Sequence, residues 1–184
     1  MQLLRAADSD EIDVRDWDAK RCDEMPRRVW SPQQQEVLDA VAAGLNCSDA
    51  NTQPDTRALF VTGGPGTGKT EVVIQCALDA SANEDAVLIP CPVGPLAAAY
   101  RKRIPPRSNI TVETIHSSFR ITRKADEVHV PPGRLRHFDL IIFDETSQQD
   151  DHVWTQVRRY LVELQPGPFV VFVGDFSTIA TCWR

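Results

Sequence analysis

The segment VTGGPGTGKT at 61–70 constrains the fold of this chain more than any other. Gly63 is followed by Gly64, Pro65, Gly66 and Thr67, then by Gly68, Lys69 and Thr70. The short apolar run before it, ALFVT at 58–62, reads as a buried strand, and TEVVIQCALDA at 70–80 carries apolar residues at helical spacing. Strand, glycine-rich turn and helix in that order form a phosphate-binding loop. Glycines let the backbone curl so that its N–H groups face phosphate oxygens. The positive end of the next helix adds to that field. Lys69 then carries a full charge to the β and γ phosphates of a nucleotide such as ATP, and Thr70 offers a hydroxyl to Mg²⁺.

The rest of the chain repeats the alternation. Runs at 86–90 (AVLIP), 109–112 (NITV), 138–143 (FDLIIF) and 169–174 (FVVFVG) read as strands. Helices are expected around 95–103, from near Thr114, and over 151–164. Each strand is almost wholly apolar, as a parallel sheet covered on both faces requires. The expected fold is α/β, a phosphate-loop three-layer sandwich with a mainly parallel central sheet. An earlier helix begins in SPQQQEVLDAVAAGL, where Ser31 can cap it and Pro32 loses nothing by lacking an N–H. Residues 46–56 and 122–136 read as polar loops, the second a surface loop. Residues 1–28 read as a charged lead-in to one domain over 29–184.

A chain of 184 residues holds one domain of ordinary size. Its net charge of −6 does not advertise nucleic-acid binding, although a local basic patch can act on an acidic domain. The five cysteines form no CxxC pair, and with four histidines they argue against a disulfide framework or a structural zinc site. No apolar run is long enough for a membrane helix, and the acidic start does not suit a secretory signal. An intracellular, reducing setting without a membrane is expected.

In FDLIIFDE, Asp144 and Glu145 follow the end of a strand, where ligands bind in open α/β sheets. Asp144 can hold the Mg²⁺ shell beside Thr70, and Glu145 can orient or deprotonate an attacking water. Gly174–Asp175 ends another strand in the same way and can sense the γ phosphate, or simply be a common turn. Among Gln33, Gln34 and Gln35, an amide can donate to and accept from an adenine edge, or can sit idle on a helix surface. Arg101, Lys102, Arg103, Arg107, Arg120, Arg123 and Lys124 gather within 101–124 against one acid, Glu113. They can neutralise a phosphate backbone. Thr114, His116 and Ser117 lie within this stretch and can touch a nucleic-acid strand; a solvated basic helix is the plainer reading. His129, His137, His152 and the four tryptophans have no spacing that suggests a site.

GGPGTGKT, TIHSSF, LIIFDETSQ and VFVGDF, in this order, resemble the first RecA-like motor domain of superfamily 1 DNA helicases of the Pif/RecD-like branch. The resemblance covers about 30–180. It implies ATP hydrolysis with Mg²⁺ to move on single-stranded DNA. It implies that Gln34 reads adenine, that Lys69 and Thr70 serve ATP and Mg²⁺, and that Asp144 and Glu145 are the metal aspartate and catalytic glutamate. Gln148 ends that motif, Gly174 and Asp175 open the third, and Gly94, His116 and Ser117 match DNA-contact segments. Two positions depart from the pattern: Thr178 stands where the third motif has a glutamine, and Val93 precedes Gly94 where a threonine is usual. The resemblance also implies a second motor domain, in cis or trans, that these residues do not contain, so this chain is expected to be a monomeric half with little unwinding of its own. A phosphate-loop ATPase of another class and a non-catalytic nucleotide-binding remnant are the competing readings.

Overall fold

The computed structural model describes residues 28–46, 57–107, 109–121, 132–164 and 167–175. The chain divides into Met1–Ser31 and Pro32–Arg184. In the first unit the Arg28 guanidinium lies over the Trp30 ring, 5.6 Å from its centroid. The lead-in up to residue 27, the polar loop over 47–56, Arg123, Lys124, His129 and Thr178 lie outside the described residues.

The second unit is built on five described strands, β1 (Ala58–Thr62), β2 (Val87–Cys91), β3 (Ile110–Thr114), β4 (Leu140–Phe143) and β5 (Phe169–Gly174). They form one sheet of order β1-β5-β4-β2-β3, and every pairing is parallel. All carboxyl ends therefore lie along one edge. Thr62 stands opposite Gly174, Phe143 opposite Phe172, and Cys91 opposite Thr114. The helices are α1 (Pro32–Asn46), α2 (Lys69–Ala82), α3 (Gly94–Arg103), α4 (Ile115–Phe119) and α5 (Asp151–Glu163). None of the described helices is long and apolar enough to cross a membrane.

Alternation along β5 sets the layers. Val170 joins the core that α5 closes with Val153, Val157 and Tyr160, and Phe172 packs against it. Phe169 points the other way, where Gly44 of α1 lies so close that a β-carbon on it would be 2.4 Å from the Phe169 ring. The sheet thus lies between helices on both faces, the three-layer sandwich expected of the apolar strands. Phe60, Phe172 and Phe143 stack in register across β1, β5 and β4, with centroids 4.9 and 5.3 Å apart. Trp154 of α5 meets Phe143 and Phe172 edge-on, at 5.2 and 5.7 Å.

Two expectations fail. ALFVT is not a buried strand: β1 is an edge strand, with Leu59 and Val61 half-buried while Phe60 is 58% exposed. Uniform apolarity misleads here because Ala58 and Phe60 are apolar on the outward face. The segment 122–136 is not simply a surface loop: Gly133–His137 is a 3-10 turn, and Leu135 is completely buried in the core under α5. One leucine between arginines leaves no periodicity to read. Other boundaries move by a residue or two, with β3 running on to Thr114 and α4 starting at Ile115.

Candidate functional site

The turn after β1 depends on its glycines individually. Gly66 and Gly68 have φ of 76° and 81°, a region that side chains disfavour. A β-carbon on Gly63 would lie 2.8 Å from Thr67 Oγ1. Thr67 Oγ1 donates to the Gly64 carbonyl at 2.9 Å. The Lys69 ammonium donates to the carbonyls of Gly63 and Gly64 at 2.7 and 2.9 Å, so its charge lies inside the curl of the loop. Lys69 and Thr70 open α2, whose N-terminus faces the loop. Gln34 reaches across from α1 and donates from Nε2 to the Thr67 carbonyl at 3.1 Å, which seats it on the loop itself.

Asp144 and Glu145 leave β4, two strands over from β1 and its turn, with β5 between. Asp144 is buried. Its Oδ1 accepts the Glu145 backbone N–H at 2.9 Å, and its Oδ2 accepts a short hydrogen bond from the Tyr100 hydroxyl. Burial pushes the Asp144 carboxyl above its usual range, against the opposing pull of those two bonds and of Lys69. Burial and the neighbouring carboxylate likewise push the Tyr100 phenol up, so it stays a donor. The charge of Lys69 acts on the same carboxyl, so the phosphate loop and Asp144 share one electrostatic environment. Glu145 has φ 52°, a strained setting for a side chain of its type, and its Oε2 accepts Gln148 Nε2 at 3.3 Å.

Thr146 ties this turn to β5. It is buried, donates to the Val173 carbonyl at 3.2 Å, and accepts Trp154 Nε1 on its own carbonyl at 3.2 Å. Asp175 follows directly from the end of β5 and is half-buried.

The ends of β2 and β3 carry the other residues picked out from sequence. Gly94 opens α3 on the surface. Arg101 donates twice to the Val112 carbonyl, at 3.0 and 2.6 Å, and Arg103 pairs with Glu71 of α2. These two cations already hold α3 against its neighbours, while Lys102 is exposed between them. Thr114 caps α4, its Oγ1 accepting Ser117 N–H at 3.3 Å. Glu113 gathers the segment: it accepts Ser117 and Ser118 hydroxyls and both guanidinium nitrogens of Arg134, at 3.1 and 2.5 Å. Arg134 holds the Glu113 carboxyl below the usual range. His116 and Ser117 face solvent.

The structure brings Gln34, the phosphate loop, Asp144, Glu145, Gln148 and Asp175 to the ends of β1, β5 and β4. It sets Gly94, Thr114, His116 and Ser117 apart, at the ends of β2 and β3. Tyr100, Thr146 and Arg134 escaped the sequence reading. Only Tyr100 left a trace, as the lone aromatic in the small-residue helix GPLAAAYRKR.

A family model described as an AAA domain matches residues 48–181. The chain belongs to that family. RecBCD enzyme subunit RecD of Buchnera aphidicola subsp. Schizaphis graminum (strain Sg) is 23% identical over 141 residues, which cover 66% of this chain and 22% of that protein. The structure of Bacteroides sp Pif1 in complex with ADP-AlF4 superposes with a TM-score of 0.54 at 20% identity, over 80% of this chain and 32% of that one. Bacteroides Pif1 bound to ssDNA gives 0.53 at 20% identity, again over 80% and 32%. These structures share the fold of this AAA domain, which spans about a third of their length and about a fifth of the curated relative's.

Proposed function

We propose that this AAA domain binds and hydrolyses ATP with Mg²⁺, as the N-terminal motor half of an ATP-dependent helicase acting on single-stranded DNA. The observation that carries the reading is a lysine-lined glycine loop and the buried Asp144 on one edge of a parallel sheet, with the charge of Lys69 acting on that carboxyl. The relatives are described as a RecBCD subunit and as Pif1 with ADP-AlF4 or ssDNA, which favours nucleotide and single-stranded DNA as ligands here.

The donor set suits magnesium. Among the described residues no cluster of three or more His, Cys, Asp or Glu could hold a metal by itself. Magnesium at phosphate sites needs no such cluster: it takes one or two protein oxygens together with phosphate oxygens and water. Thr70 and Asp144 would hold it, and it would supply charge neutralisation at the phosphates. Lys69 would exchange the Gly63 and Gly64 carbonyls for phosphate oxygens. Glu145 would orient the attacking water and accept its proton, with Gln148 steadying the carboxylate. Gln34 would turn from the Thr67 carbonyl to an adenine edge, and Asp175 would close the γ-phosphate side. Gly94, Lys102, Thr114, His116 and Ser117 form the strand-contacting rim, with Arg101 and Arg103 bracing the helix that presents it.

ATP turnover by the chain, with and without single-stranded DNA, tests this. Turnover lost in Lys69→Ala and Glu145→Gln supports it; turnover unchanged in both ends it.

A further inference from the structure

We infer that Tyr100 is a positioning residue for the metal: its hydroxyl fixes the Asp144 carboxylate in the orientation that holds the ion. The inference rests on the ATP–Mg²⁺ reading above.

Tyr100 has one hydroxyl hydrogen, and it goes to Asp144 Oδ2, an acceptor when ionised. That bond occupies one lone pair of Oδ2 and leaves the others of the carboxylate for a cation. The second oxygen of Asp144 is held by the Glu145 N–H at 2.9 Å. A carboxylate otherwise turns broadly about its last torsion; gripped at both oxygens, this one has a fixed plane.

The tyrosine is itself well anchored. It is 1% exposed on α3, and its carbonyl accepts the Ile104 N–H at 2.8 Å. The next residue, Arg101, makes the double bond to the Val112 carbonyl of β3. The hydroxyl thus reaches Asp144 from a helix pinned to the sheet. A ring alone would fill the same space, so packing does not account for the oxygen.

Tyr100→Phe removes that oxygen and keeps the ring. Affinity for a fluorescent ATP analogue would be titrated with Mg²⁺ and with EDTA. The variant should match wild type within about twofold in EDTA and lose about tenfold of the gain that Mg²⁺ brings, the size expected for one hydrogen bond to a charged group. Half-maximal binding should need correspondingly more Mg²⁺. A variant with the wild-type Mg²⁺ response overturns the inference while leaving the nucleotide site standing. Wild-type protein that gains nothing from Mg²⁺ overturns the ATP–Mg²⁺ reading and this inference with it. Should Tyr100→Phe fail to fold, the native chain answers instead, since it has two tyrosines, Tyr100 and Tyr160. With ring-labelled tyrosine, the Tyr100 Cζ resonance should move on adding Mg²⁺ with the analogue, but not with the analogue in EDTA, while Tyr160 stays still. An unmoved Tyr100 resonance overturns the inference.

Discussion

Gly174 lies so close to Thr146 that a β-carbon on the glycine would sit 2.6 Å from the threonine Oγ1. Thr146 follows Glu145, and Gly174 precedes Asp175, so this contact sets the spacing between two turns of the candidate site. A threonine hydroxyl on a buried residue has nowhere to swing. Gly174→Ala is expected to cost about 1–3 kcal/mol through overpacking. Thr146→Ala alone loses the bond to Val173, a cost of about 1 kcal/mol. The double variant should be more stable than the sum of the two implies, because the second change removes the clash. Urea unfolding of all four proteins in a double-mutant cycle measures this coupling.

Lys69→Ala is expected to weaken ATP binding by about 10- to 100-fold, since a hydrogen bond to a charged partner is worth about 1.5–3 kcal/mol. The fold should be little changed, because the lysine's bonds are to carbonyls of its own loop. Calorimetric titration together with a thermal melt separates these two effects.

The pair Glu113–Arg134 gives the chain an acid-sensitive joint. Arg134's hydrogen bonds, the strongest influence on Glu113, lower its carboxyl from the ordinary 4.5. A depressed folded-state value means the folded protein binds the proton less readily than the unfolded one. The stabilisation is therefore complete above pH 4.5 and disappears as pH falls through the lower folded value. Both groups are partly exposed, so solvent screening keeps the contribution to about 1 kcal/mol or less. Arg134→Gln should lower the melting temperature at neutral pH, and its deficit should shrink below pH 4. Melts across that range test the sign.

Cys76 and Cys91 are buried, and burial leads the effects that raise each thiol to about 12. A thiolate is the reacting species. Both cysteines should resist iodoacetamide at pH 8 in the native protein and react fully in guanidinium, as peptide mass spectrometry would show.

Much of the site could be read in the sequence because its chemistry is local. The phosphate loop needs glycine, lysine and threonine within one turn, and FDLIIFDE marks β4 because a central strand is apolar on both faces. What escaped depends on partners distant along the chain. Tyr100 looks like a packing residue until α3 folds over β2 and β3 and brings it to Asp144. Arg101 and Arg103 look like free cations until Val112 and Glu71 come beside them. Leu135 has no apolar neighbour in sequence, and its burial follows from the core that forms over it. At β1 the outward Phe60 is apolar, so composition hides the sheet edge.

Glu145 holds its left-handed backbone without being glycine. Glycine would relax that turn, by roughly 1–2 kcal/mol on the steric scale for such conformers, and would take the carboxylate away. Glu145→Gly should therefore melt no lower than wild type while ATP turnover disappears. Selection for heat resistance and selection for turnover pull this position in opposite directions, so directed evolution for thermostability alone would be expected to sacrifice the acid first.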